Sequence, residues 1–181
     1  MRLYHFESSL WLPRPREVVF RFFADPRNLE LLTPPWLRFR IVTPMPISMQ
    51  VGTRIAYRLR LRGIPLHWDS EITVWEPSLR FVDVQRRGPY RHWVHAHRFD
   101  EQAGGTLVSD HVTYAVYGGH LVQRLLVGPD LRRIFAYRRA KLTELFDVGV
   151  ARMAAQLPTD PVAHETAREP SEPGARQLAG G

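Results

Sequence analysis

The chain has no cysteine among its 181 residues. Disulfide bridges and thiolate metal sites are therefore excluded. It also has no apolar run long enough to cross a bilayer. Its first twelve residues mix His5, Glu7, Ser8 and Ser9 into the apolar positions, which does not read as a secretory signal, so the expected compartment is the cytoplasm. There is no glycine-rich phosphate loop, no nucleophile elbow and no Ser-His-Asp ordering, hence no sign of a covalent nucleophile. The net charge is +7. Its arginines are spread along strands and helices rather than gathered in one run, so the charge reads as a solvated surface and nucleic acid is not an expected partner.

What is present centres on residues 131–146. This stretch holds neither glycine nor proline, and Leu131, Ile134, Phe135, Leu142, Leu145 and Phe146 recur at helical spacing. Asp130 stands before it as an N-cap candidate, with Pro129 one step earlier. Arg138 interrupts the stripe, seven residues after Leu131 and four before Leu142, so an ideal helix aims it into the apolar face. A buried guanidinium is costly unless paired and hydrogen-bonded. Arg138 is thus expected to meet acids on a sheet or an anionic ligand, which implies a pocket.

The remaining pattern is mostly strand. Tyr4 to Trp11 alternates. Val18, Val19, Phe22 and Phe23 give one short helical face, and Leu29 and Leu32 give a second, closed by the stiff loop Thr33-Pro34-Pro35-Trp36, which reads equally as a core lid or a pocket rim. Residues 37–43 read as a strand. Residues 53–62 alternate Ile55, Tyr57, Leu59 and Leu61 against arginines; 66–74 set Leu66, Trp68, Ser70, Ile72 and Val74 on one face. A turn at Gly63-Ile64-Pro65 would set Arg60 opposite Asp69 and Arg58 opposite Glu71. Strands over 80–86, 91–99 and 106–116 follow, then residues 120–127 as a short helix or flap. The expected organisation is one domain over 1–155 and a disordered tail over 156–181, rich in Pro, Glu, Ala, Arg and Gly without aromatics. Short turns between consecutive strands make an antiparallel meander. One helix cannot cover both faces of such a sheet, so the sheet should curve around it and leave a concavity. The fold class is α+β, with about seven strands wrapped around a long C-terminal helix and two short helices after the first strand.

Alternation puts Trp68, Ser70, Asp83, Gln85, Trp93, His95, His97, Asp110 and Tyr114 on the concave face, with Arg138 facing them. Short turns bring His95 near Asp83 and His97 near Asp110. A His–carboxylate pair suits a general base, with His95, His97 and Asp110 as the catalytic candidates. The same residues also make sense as a satisfied buried polar network. His95 and His97 share a face on which a metal would need Asp110 or Asp83 as a third ligand. That is the weaker reading, and neither metal nor other cofactor is expected.

Several motifs resemble the ligand-binding SRPBCC group of the START and polyketide-cyclase superfamily: Pro15-x-Glu17-x-Val19-Phe20-x-Phe22-Phe23, Asn28-Leu29 with Leu32-Thr33-Pro34-Pro35-Trp36, Gly63-Ile64-Pro65-Leu66-x-Trp68, Trp75-Glu76-Pro77, and Arg80-Phe81-Val82-Asp83. The most specific is Gly88-Pro89-Tyr90-x-x-Trp93-x-His95-x-His97-x-Phe99, followed by Asp110-x-Val112-x-Tyr114 and Ile134-Phe135-x-Tyr137-Arg138. The resemblance spans residues 3–147. It implies a helix-grip fold with a deep, mostly apolar cavity, and binding of lipids, sterols, polyketides or hormones, or cyclisation and dehydration of polyketides. It carries over no catalytic residue. Three functions follow. The first is a binder of a hydrophobic small molecule, with Tyr57, Trp68, Trp93 and Tyr114 as apolar wall and Arg138, His95 and His97 on an acidic or hydroxyl head. The second is a cyclase or dehydratase using a His–Asp pair as general base. The third is a regulatory protein whose cavity is only packed core. The binder is preferred.

Overall fold

The computed structural model describes residues 1–154, with side chains described to Asp147. The expected tail lies outside these residues. In chain order the elements are β1 (Tyr4–Leu12), α1 (Arg16–Phe23), α2 (Arg27–Leu32), β2 (Arg40–Ile41), β3 (Arg54–Leu61), β4 (Ile64–Glu76), β5 (Arg80–Arg87), β6 (His92–Gln102), β7 (Gly105–Ala115), α3 (Gly119–Val122) and α4 (Gly128–Ala154). The strands form one antiparallel sheet in the order β1-β7-β6-β5-β4-β3-β2. The first strand closes against the last, which leaves α1 and α2 to plug one end and α4 to fill the concave face. This is the helix-grip arrangement that the alternation and the short turns imply.

Local chemistry moves several boundaries. The second strand is only Arg40–Ile41, because Pro35–Leu37 winds into a 3-10 turn that ends on Arg38 with φ 45°. In the Thr33-Pro34-Pro35-Trp36 loop, Thr33 lines the cavity and Pro34 is fully buried, whereas Trp36 turns outward. It is 42% exposed, with the Arg133 guanidinium 4.4 Å from its ring and Tyr137 edge-on at 5.6 Å, on the outer side of α4. In α1 the buried face is Val19, Phe20 and Phe23, and Val18 is exposed. The β3–β4 register differs from the expected one by four residues. Arg62 (φ 52°) and Gly63 (φ 85°) both take the left-handed conformation of a two-residue hairpin turn, so Leu61 pairs with Ile64 and Arg54 with Glu71. The outer arginine ladder survives in that register: Arg54 and Arg86 both donate to Glu71, at 2.8 and 3.1 Å. A bulge at Thr73 then flips the phase of β4, so Trp75, not Val74, packs inward against Phe20 and Phe81.

The segment before α4 is helical throughout. A single turn of wider π-type helix, Gln123–Val127, joins α3 directly to α4. Pro129 has no N–H to give the preceding turn, and the widened turn absorbs it. Asp130 is therefore not an N-cap. It accepts two hydrogen bonds from Arg62, at 2.9 and 3.1 Å, and ties the β3–β4 hairpin to the start of α4.

Candidate functional site

Two apolar clusters fill the concavity, with a polar belt between them. One holds Phe20, Phe23, Ile72, Phe81, Phe99, Val108, Leu142 and Phe146; the other holds Trp93, Val112, Tyr114, Leu131 and Phe135. The inner rows of β1, β4, β6 and β7 pass from one cluster to the other through a polar side chain. On β6 the row is Trp93, His95, His97, Phe99; on β7, Tyr114, Val112, Asp110, Val108; on β4, Trp68, Ser70, Ile72. β5 gives Asp83 beyond Phe81, β1 gives Ser8 between Phe6 and Leu10, and α4 gives Arg138 between Phe135 and Leu142. Strand period and helix period thus deliver one polar layer inside an apolar core.

Within the layer the two histidine rings lie 3.8 Å apart. The carboxylates sit on opposite edges of the pair. Asp110 Oδ1 is 2.9 Å from His95 Nε2 and 2.8 Å from His97 Nδ1, the second contact lying off the line of a hydrogen bond. Asp83 Oδ2 is 3.3 Å from His97 Nε2 and 3.8 Å from His95 Nδ1. The expected neighbours, His95 with Asp83 and His97 with Asp110, are directly opposed in the register. The hydrogen bonds run diagonally, from His95 to Asp110 and from His97 to Asp83. Ser70 donates to Asp83 Oδ1 at 3.4 Å and accepts from Trp68 Nε1 at 3.0 Å. Arg138 Nη2 stands 3.9 Å from Asp110 Oδ1, and its guanidinium lies 5.3 Å from the Phe23 ring centre. Its Nε is buried with no hydrogen-bond partner among the described residues.

Burial opposes every charge here, so the neighbours decide. Asp110 is held well below the usual carboxylate range despite burial, chiefly by the Arg138 charge and then by the His95 hydrogen bond and the close His97 ring. Asp83 is also lowered, because the His97 hydrogen bond and the nearby positive charges outweigh its burial. His95 is lowered by burial and by the charge on His97. His97 is raised, since its contacts with Asp110 and Asp83 overcome burial. His97 therefore keeps its proton to higher pH than a free imidazole does, and His95 gives its proton up at lower pH. In NMR titrations of metal-free protein, His97 Hε1 should titrate above the ordinary histidine value of about 6.5 and His95 Hε1 below it. A single shared midpoint would contradict this assignment.

A cavity of about 220 Å³ opens beside this layer. Its wall includes Tyr57, Trp68, Ser70, Asp83, Trp93, His95, His97 and Arg138, all expected from the sequence. Asp110 stands behind the histidines. Gln85 and Tyr114 are not on the wall. Gln85 braces the Gly88-Pro89-Tyr90 turn, giving its Nε2 to the Tyr90 carbonyl at 2.8 Å and accepting from Tyr90 N at 3.3 Å. A Cβ at Gly88 would displace the Gln85 side chain from this position. Tyr114 is packed core, its hydroxyl accepting from Gln123 at 3.3 Å. Sequence reasoning left out the wall that α1, α2 and α4 supply, including Phe22, Phe23, Leu29, Leu32, Ile134 and Phe135. The apolar stripes of those helices were the available signal.

A family model described as polyketide cyclase / dehydrase and lipid transport matches residues 12–142. No curated relative matches the chain in sequence. Among solved structures, protein Ms6760 from Mycobacterium smegmatis aligns with a TM-score of 0.61 at 16% identity, over 82% of this chain and 98% of that one. Ginseng major latex-like protein 151 from Panax ginseng also gives 0.61, at 10% identity, over 80% and 97%. At these identities the likeness speaks for the fold. The nucleoside-diphosphate sugar epimerase from Corynebacterium glutamicum aligns at 25% identity with a TM-score of 0.58, over 83% of this chain and 30% of that protein. No helix among the described residues is long and apolar enough to cross a membrane.

Proposed function

The chain belongs to the polyketide cyclase / dehydrase and lipid transport family, and from that membership and its cavity we propose that it binds a hydrophobic small molecule whose oxygen-bearing end meets Arg138. The observation that carries this reading is the Arg138 Nε–H, buried on the wall of a largely apolar cavity and without an acceptor among the described residues. A buried donor left unpaired costs about 1–3 kcal/mol, which a ligand oxygen would recover. Trp68 and Trp93, edge to face with centroids 5.1 Å apart, offer aromatic surface to the rest of the ligand. The volume of about 220 Å³ falls below the roughly 300–1,000 Å³ usual for ligand pockets. It suits a molecule of one or two rings rather than a full-length lipid. With His97 protonated the polar layer is balanced in charge, and a hydroxyl or carbonyl then fits it as well as a carboxylate does.

The test is to compare native and denatured masses of freshly purified protein, then to titrate it with 2-naphthol and 2-naphthoate. Arg138→Met should weaken binding by about ten- to a hundredfold, the value of a hydrogen bond to a charged group. Unchanged affinity in a folded variant would sink the reading. The enzymatic alternative, a cyclase or dehydratase, is favoured by one feature. His95 is a neutral imidazole on the cavity wall with its Nε2–H given to Asp110, the arrangement of an oriented general base. If His95 acts so, His95→Gln abolishes turnover and leaves binding nearly intact, and parallel loss of both would count against it.

A further inference from the structure

We propose that Asp83, His95 and His97 bind one divalent first-row transition-metal ion, with Asp110 as the carboxylate that holds both histidines in place. Each ring turns one nitrogen toward Asp83 Oδ2 and the other toward Asp110 Oδ1. On the Asp83 side, Oδ2 is 3.3 Å from His97 Nε2 and 3.8 Å from His95 Nδ1, and one donor atom from each of the three residues lies within 4.8 Å of the others. In a tetrahedral zinc site with bonds of about 2.0–2.2 Å, neighbouring donor atoms stand roughly 3.3–3.6 Å apart. The Oδ2–His97 Nε2 pair is already at that spacing, and the Oδ2–His95 Nδ1 pair is close to it.

On the far side, Asp110 Oδ1 lies 2.9 Å from His95 Nε2 and 2.8 Å from His97 Nδ1. Histidines that bind metals usually give their second N–H to a carboxylate, which fixes the tautomer and aims the free lone pair at the ion. Here one oxygen does this for His95 and stands within contact distance of His97 Nδ1. The off-line contact at His97 Nδ1, which leaves that atom without a proper hydrogen bond, would straighten as the ring turns toward an ion. Ser70 restrains the other Asp83 oxygen, Oδ1, leaving Oδ2 for the histidines.

All three ligands line the cavity, so a coordination position would face a bound molecule, as in catalytic rather than closed structural sites. The donor set of two imidazoles and one carboxylate, without thiolate, suits zinc, cobalt or ferrous iron better than calcium or magnesium. Both imidazoles bind an ion in their neutral form. Together with Arg138 the layer would then carry one surplus positive charge, which an anionic oxygen in the open position would cancel.

The site stands independently of the ligand proposed above, because the metal alone tests it. Metal-free, full-length protein is titrated with Zn²⁺ by calorimetry and with Co²⁺ by visible absorption. The expected result is one ion per chain and an intense four- or five-coordinate Co²⁺ spectrum. Asp83→Asn and His95→Gln should abolish saturable binding, and Asp110→Asn should weaken it by about 10–100-fold. His111→Gln, at an exposed histidine beside Glu7, should leave it unchanged. Arg138→Met removes a repelling charge and should tighten binding, so the proposal stays testable even if Asp83→Asn does not fold. Absence of saturable binding, a six-coordinate Co²⁺ spectrum, equal affinity in the Asp83 and His95 variants, or weaker binding in Arg138→Met would each overturn it.

Discussion

Asp110→Asn is expected to destabilise the fold by about 3–5 kcal/mol, the cost of removing one partner from a buried charged network. The effect should read as a fall in the urea midpoint with little change in slope. Asp110 is buried at the centre of the polar layer, touched by His95, His97 and Arg138. Asparagine keeps the shape and one acceptor but leaves three potential cations facing one carboxylate, Asp83. His97 should respond first, because Asp110 is a main reason it holds its proton, and its Hε1 midpoint should drop in the variant. Removing Arg138 as well should restore part of the loss, so the double variant Asp110→Asn with Arg138→Met should lie closer to wild type than the sum of the two changes. A cost of about 0.5 kcal/mol or less, typical of a surface change, would mean that the network holds nothing together.

The pH dependence follows from the same groups. Asp110 and Asp83 have lowered values in the fold, so their contribution is present above the unfolded value of 3.8 and is lost as pH falls through the folded values. His97 is raised, so its contribution is complete below 6.5 and fades as pH rises through its folded value. His95 is lowered and acts in the opposite sense: below 6.5 the unfolded chain takes up a proton that the folded one resists, which costs stability. In mildly acidic solution the His97 contribution no longer changes, so the cost at His95 sets the slope there, and the loss at the carboxylates follows below 3.8. Asp110→Asn should flatten that acid limb.

The polar layer was legible in the sequence because period-2 strands hide nothing. A charged or hydroxylated residue in an otherwise apolar inner row declares its level, and Arg138 declares the same level on the helix. Ser8 belongs to that layer too, opposite Asp110 in the register, but beside outward-facing Ser9 it reads as ordinary strand polarity. Gln85 and Tyr114 share inner rows with site residues and still miss the cavity, because alternation fixes a face and not a position along it. The β3–β4 register was misread for a physical reason. Arginine seldom adopts φ near +50°, so Gly63-Ile64-Pro65 looked like the turn, while Arg62 actually takes the left-handed place before Gly63. Charge pairing could not correct this, since Glu71 finds an arginine in either register. The Thr73 bulge lies in a run that is apolar on both faces, where a phase change leaves no mark. Pro129 looked like a boundary because a helix ordinarily starts near proline, and only the wider turn upstream lets the helical path continue through it.

Ile134→Trp is expected to abolish binding of 2-naphthol and 2-naphthoate while leaving the fold intact. Ile134 lies on the α4 face toward the cavity, one turn before Arg138, and is only half-buried. That partial exposure is what makes it a suitable place to add volume: a larger side chain can grow into the cavity space without forcing apart the close-packed pairs around Leu142 and Phe146, where overpacking costs about 1–3 kcal/mol. An indole exceeds an isobutyl-sized side chain by enough to take a substantial share of a cavity of about 220 Å³, so a two-ring molecule should no longer fit beside it. Calorimetry is the appropriate readout, because the new tryptophan would confuse the fluorescence of Trp68 and Trp93. Binding heat should vanish for both naphthalenes, and the urea midpoint should hold or rise, since the added apolar surface is buried. If Ile134→Trp binds both compounds as wild type does, they sit elsewhere and the cavity is not the ligand site. If binding is lost in Ile134→Trp but Arg138→Met binds normally, the cavity holds the rings while the oxygen-bearing end points away from the guanidinium.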